Sequence, residues 1–115
     1  MARVTLLPMP NNLGLDFAGR AADVAGLDFY GESLYTLERN AAAVCQRDPN
    51  TLLTQQCISY RAAEDQIGYA DTRYRKAEGL LVEPSIITVI FDNNNDTVGA
   101  TDDRRGRLLQ IPHAF

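Results

Sequence analysis

The residues best suited to chemistry lie in the last quarter of the chain. Asp92-x-Asn94-x-Asp96 sets oxygen-bearing side chains at alternate positions, as the opening of a calcium loop does, and Asp103 falls at the twelfth position. Such a loop needs a glycine at position six for its sharp turn and closes on a bidentate glutamate. Here Thr97 stands at position six, Gly99 comes two places late, and Asp103 is a shorter carboxylate. A strand-like run precedes the loop where a helix would be expected. The plain reading is a solvated Asn/Asp turn. The chemical reading is a small calcium-binding protein or enzyme built on residues 92–103.

Arg104-Arg105-Gly106-Arg107 is the one basic cluster. Arginine forks match phosphate, but Asp102 and Asp103 precede the cluster and cancel part of its field. A net charge of −4 also works against binding by counterion release, so nucleic acid is not expected as the main ligand. Arg104 and Arg105 read instead as salt-pairing or partner-contacting residues. His113 is the only histidine, two places before Phe115, with no serine or cysteine in a local nucleophile pattern. There is no phosphate-binding glycine loop and no HExxH. No catalytic residue, metal ligand or cofactor is assigned, and the chain is expected not to be an enzyme.

The elements that must position these residues are read from periodicity. Leu53, Cys57, Tyr60, Ala63, Ile67, Ala70, Tyr74 and Ala77 recur in steps of three or four, which predicts a long helix over residues 51–78 with Gly79 as its C-cap. Tyr30, Leu34, Leu37, Ala41 and Val44 predict a second helix over residues 30–47. Asp48-Pro49-Asn50-Thr51 breaks the pattern between them, so the two should pack as an antiparallel helical hairpin. In that register Cys45 faces Leu53 and Cys57 faces Ala41, too far apart for a disulfide, and two free, buried thiols are expected.

Upstream, Gly14-Leu15-Asp16-Phe17-Ala18-Gly19 is echoed by Gly26-Leu27-Asp28-Phe29-Tyr30-Gly31, five of six positions matching at a spacing of twelve. Each aspartate could cap a short helix, one of them over residues 16–25, with Phe17 and Phe29 in the local core. Alternatively the two phenylalanines fill similar pockets on a repeated partner. Downstream, residues 86–91 and 107–111 read as strands. The first is apolar on both faces and should be buried on both sides or covered by a partner.

The expected fold class is therefore mainly α: a helical hairpin plus one short helix, with a small C-terminal β element and extended arms at both ends. Residues 1–13 form the N-terminal arm, residues 14–81 the hairpin region, and residues 82–115 the β element with its long loop and C-terminal arm. Arms rich in apolar residues cannot form a core alone and suggest exchange between neighbouring subunits. The leading expectation is a non-enzymatic structural subunit of a large symmetric assembly, a phage-type virion component such as a head–tail connector, tail or capsid-associated protein. Its partners would be further copies and other structural proteins of the particle, reached through Phe17, Phe29, Leu109, Ile111 and Phe115. The alternative is a small cytoplasmic adaptor. No stretch approaches the roughly 18 apolar residues of a membrane span, and synthesis in the cytoplasm is the default.

Overall fold

A computed structural model describes residues 4–67, 76–92 and 105–115. Seven strands dominate it: β1 (Val24–Tyr30), β2 (Ser33–Glu38), β3 (Ala43–Arg47), β4 (Thr54–Ser59), β5 (Ala77–Val82), β6 (Ile86–Phe91) and β7 (Arg107–Pro112). One α-helix, α1 (Arg61–Ile67), follows β4, and a single 3₁₀ turn (Arg39–Ala41) links β2 to β3. The strands form two antiparallel meanders, β1-β2-β3-β4 and β5-β6-β7.

The mainly α expectation is thus overturned, and the helical hairpin with it. Residues 30–47 fold as a hairpin of strands. Gly31 takes the positive φ (+62°) that opens a tight two-residue turn, and Tyr30 then pairs with Ser33. Leu34 and Leu37, placed on one helical stripe by their spacing, are an odd number of residues apart and so face opposite sides of β2. The segment Leu34-Tyr35-Thr36-Leu37 carries the aromatic and β-branched residues that suit a pleated surface. Within residues 51–78 only α1 is helical among the described positions; β4 precedes it, and Gly79 lies inside β5. The expected short helix over residues 16–25 is also absent. The first GLDF copy belongs to a turn, the second to β1, so the two copies share a sequence and not a structure. The strands expected at residues 86–91 and 107–111 are present as β6 and β7. The C-terminal arm is β7 itself, paired with β6 from Phe91↔Arg107 to Ile86↔Pro112.

The inner faces of the two sheets make one core. Tyr35, Leu37 and Val44 from the first sheet meet Val82, Ile87, Val89 and Phe91 from the second, with Tyr60 at the start of α1 closing one side. The sheets also meet edge to edge, β1 lying along β5. Asp28 Oδ2 accepts the Val82 amide at 2.7 Å, a side chain taking the place of a ladder bond. Gly26 permits this approach, since a Cβ there would sit 3.2 Å from the Leu80 amide nitrogen.

The β3–β4 connection is built on Asp48. Its Oδ1 accepts the amides of Thr51 (3.0 Å) and Asn50 (2.8 Å). These bonds, that from Thr51 first, favour the charged carboxylate and hold its pKa below the ordinary aspartate value. A depressed folded-state pKa contributes stability above the unfolded value of about 3.9, lost as pH falls through the lower folded value. The gap in melting temperature between wild type and Asp48→Ala should therefore be widest near neutrality and narrow below pH ~4. A gap independent of pH would show that the charge plays no part in the turn.

Candidate interaction surfaces

The outer face of the first sheet is half covered by the chain's own N-terminal segment. Register and alternation place Thr36 and Glu38 of β2, Cys45 and Arg47 of β3 and Cys57 of β4 on this face. Arg47 is the hub. Its Nε donates to Thr36 Oγ1 (3.2 Å), its Nη1 to the carbonyls of Pro10 and Leu52 (both 2.8 Å), and its Nη2 reaches Glu38 Oε1 at 3.4 Å. All three side chains are buried. Asn12 extends the clasp: its carboxamide donates to the Thr54 carbonyl and accepts the Thr54 amide, both at 2.8 Å, imitating a strand at the edge of β4. Leu15 and Phe17 then pack over Ala43 and the Cys45–Cys57 pair. Asp23 bonds Arg39, and Asn40 holds the Ala21 carbonyl, which returns the segment to β1.

Cys45 and Cys57 are joined, directly opposite in the β3–β4 ladder with Cα atoms 4.1 Å apart. The expected free thiols are corrected here. The connection lies close to where the sequence put it, but a ladder about residue 51 pairs position 45 with 57. A helical hairpin separates the same two positions.

Among the described residues, besides Leu13, Val24 and Leu53, three groups of large apolar side chains are left outside. Val4 and Leu6, each 97% exposed, lead an arm that continues through Leu7 to Met9 before Pro10 is clasped. On β1, Leu27 and Phe29 face outward beyond the covered part of the first sheet. On the second sheet, alternation puts Leu81 of β5, Ile86 and Ile90 of β6 and Leu108 of β7 on the face away from the core, and all four are exposed. Residues 86–91 are therefore not buried on both sides: one face is core, and the other carries the exposed Ile86 and Ile90.

The sequence-nominated partner residues separate accordingly. Phe29 is outward. Phe17 is half-buried over the disulfide. Leu109, Ile111 and Phe115 pack against the chain's own core, so they do not project as an arm. Arg105 is exposed and, with Arg107, Leu108 and Ile67, lines an open groove of about 620 Å³. Arg104 lies outside the described residues, as does the calcium-like loop beyond Asp92.

The sequence also concealed a polar and aromatic cluster. His113 Nδ1 meets the Glu83 carbonyl at 2.7 Å, so Nδ1 carries a proton, and Nε2 lies 3.3 Å from Tyr35 Oη. Gln46 Nε2 donates to Ser33 Oγ at 2.9 Å and approaches Tyr35 Oη at 3.5 Å; Gln56 donates to Gln46 at 2.8 Å. Burial is the main reason the Tyr35 phenol is pushed above its ordinary pKa, with the Gln46 bond acting against it. Edge-on contacts of His113 with Tyr30, Tyr35 and Phe115 complete the cluster. It ties residues 113–115 across the end of the core. No signal short of the strand register could have brought residues 35, 46 and 113 together on paper.

The fold and its clasp define an antiparallel two-sheet protein with an N-terminal strap. No protein-family model, curated protein or solved structure matches the chain. Among the described residues no helix is long and apolar enough to cross a membrane, and no three His, Cys, Asp or Glu side chains gather as a metal site would require.

Proposed function

We propose that this chain is a non-enzymatic structural subunit that assembles with copies of itself. The observation that carries this reading is the presence, in one small chain, of an apolar arm and of a sheet face with four exposed apolar side chains, neither of them covered by the described residues. Exposed apolar patches mark sites of association, and an open sheet edge beside one is an aggregation hazard. The helical hairpin that was to pack the oligomer does not exist. The virion reading loses its packing unit with it and is not pursued.

Light scattering across a concentration series tests the proposal. A mass above that of one chain, falling on dilution, is the expected result; a single-chain mass up to the highest soluble concentration refutes it. Leu27 and Phe29, side by side on the outer face of β1, favour a second reading as a docking module for another protein. That reading requires the single-chain mass.

A further inference from the structure

We infer that the Cys45–Cys57 bond is a thiol-exchange site gated by the strap: a small thiol or dithiol attacks Cys57 Sγ from the open edge of β4, and reaches it only when residues 12–17 lift.

The line of attack follows from the ladder. A thiolate that breaks a disulfide approaches one sulfur in line with the bond, from the side opposite the other sulfur. Cys45 and Cys57 are direct partners on β3 and β4, so that line runs across the strands. Approach to Cys45 would come over β2, where its ladder neighbour Thr36 is wholly buried and bonded to Arg47 Nε. Approach to Cys57 comes from beyond β4, the last strand of its sheet. Burial agrees, since Cys45 is 0% exposed and Cys57 only half-buried. Cys57 is therefore the sulfur attacked and Cys45 the one that leaves.

The strap occupies that approach. Asn12 is bonded to Thr54, the first residue of β4. The Asp16 carbonyl accepts from Arg61 Nη2 at 3.3 Å, just past the last residue of the strand. Between these ties the strap passes along the β4 edge, and Leu15 and Phe17 turn in onto Ala41, Ala43 and Cys45. The fastenings are few and lie at the surface, Asn12 and Asp16 both being exposed. Such a segment opens locally, at lower cost than the sheets beneath it. The observed exchange rate is then the opening equilibrium of the strap multiplied by the rate of thiol on the open form.

The exchange needs only an external dithiol. Its thiolate forms a bond to Cys57 Sγ, the Cys45–Cys57 bond breaks, and Cys45 leaves as a thiolate that takes a proton from water. The second thiol of the reagent then attacks its own bound sulfur and releases Cys57. The reagent ends as a cyclic disulfide and the chain as two thiols. Coupling runs both ways. A seated strap protects the bond, and reduction lets the two sulfurs part into the floor on which Leu15 and Phe17 rest.

The test oxidises the full-length chain with oxidised glutathione, adds excess dithiothreitol, and follows reduction by N-ethylmaleimide quenching and mass spectrometry. Asn12→Ala loosens the strap and removes no core side chain; Val89→Ala removes core packing in β6 and leaves the strap intact. Asn12→Ala is expected to speed reduction roughly tenfold, the effect of two ordinary hydrogen bonds on an opening equilibrium. Val89→Ala is expected to stay within about twofold of wild type while losing at least as much stability in urea. Acceleration of both in proportion to lost stability overturns the gate, because the bond is then reached by unfolding of the whole chain. An unchanged rate in Asn12→Ala overturns it as well, because thiol then passes a seated strap. With reduced glutathione as the probe, the trapped mixed disulfide is expected on Cys57 with the maleimide on Cys45; the reverse placement refutes the line of attack. A chain that keeps two thiols in oxidised glutathione has no such site. The self-assembly reading is tested separately, by mass, and survives any of these results.

Discussion

Arg47→Met should cost about 3–5 kcal/mol of folding stability, the range for breaking one side of a buried ion pair. Arg47 is 1% exposed and holds four groups at once: the Thr36 hydroxyl, the Glu38 carboxylate, and the carbonyls of Pro10 and Leu52. Methionine fills much of the volume and donates nothing. Glu38 would then keep a buried charge whose other oxygen, Oε2, already lacks a hydrogen-bond partner among the described residues. A second substitution separates the charge from the packing. Arg47→Met with Glu38→Leu should recover most of the loss, because replacing both members of a buried pair by apolar groups is often neutral. Urea unfolding of the three proteins reads this directly. The single variant should also be cut by protease within residues 10–17, where the strap has lost its bond at Pro10. A loss below about 1 kcal/mol, typical of an exposed pair, would mean that the strap does not enclose Arg47 in solution.

Arg47 also marks where sequence reading failed. An arginine at the end of an apparent helix suits the helix dipole, and nothing local distinguishes that arrangement from an arginine in the outer face of a sheet. What separates them is Pro10, thirty-seven residues away. The same holds for Asn12 at Thr54 and for Asp28 at Val82, polar side chains standing in for strand partners across more than forty residues. Local patterns did reveal β6, where a β-branched run leaves no helical stripe, the shorter apolar run of β7, and the break at Asp48. They misled across residues 30–47 and 51–78, because steps of three and four contain even and odd intervals alike. Leu34 and Leu37 therefore satisfy a helix while lying on opposite faces of a strand. Of the candidate surface, the arm was visible as apolar residues interrupted by Pro8 and Pro10. The open face of the second sheet was visible only as an unexplained excess of isoleucine in residues 86–91. Which of those isoleucines point outward required knowing which side of β6 faces the core.

Cys45→Ala with Cys57→Ala should lower stability by about 3 kcal/mol, the loop-closure value for a cross-link of this size, whose ends are 12 residues apart. The bond adds to a connection that is already ordered, since Asp48 caps the turn and Arg47 holds the Leu52 carbonyl. The effect therefore falls mainly on the unfolded chain, which gains freedom when the link is absent. Wild type in reductant should match the double variant, and the double variant should not respond to reductant; both comparisons are made by urea unfolding. The strap should report the change too, because Leu15 and Phe17 rest on the disulfide side of the sheet. Loss of the bond should speed amide exchange in the core of β6, which opens only with the whole chain, as well as within residues 12–17. Identical unfolding curves with and without reductant would mean that the chain carries two thiols in solution. A reductant-sensitive midpoint would instead mean that a chain made among reduced thiols gains its full stability only on meeting an oxidising medium.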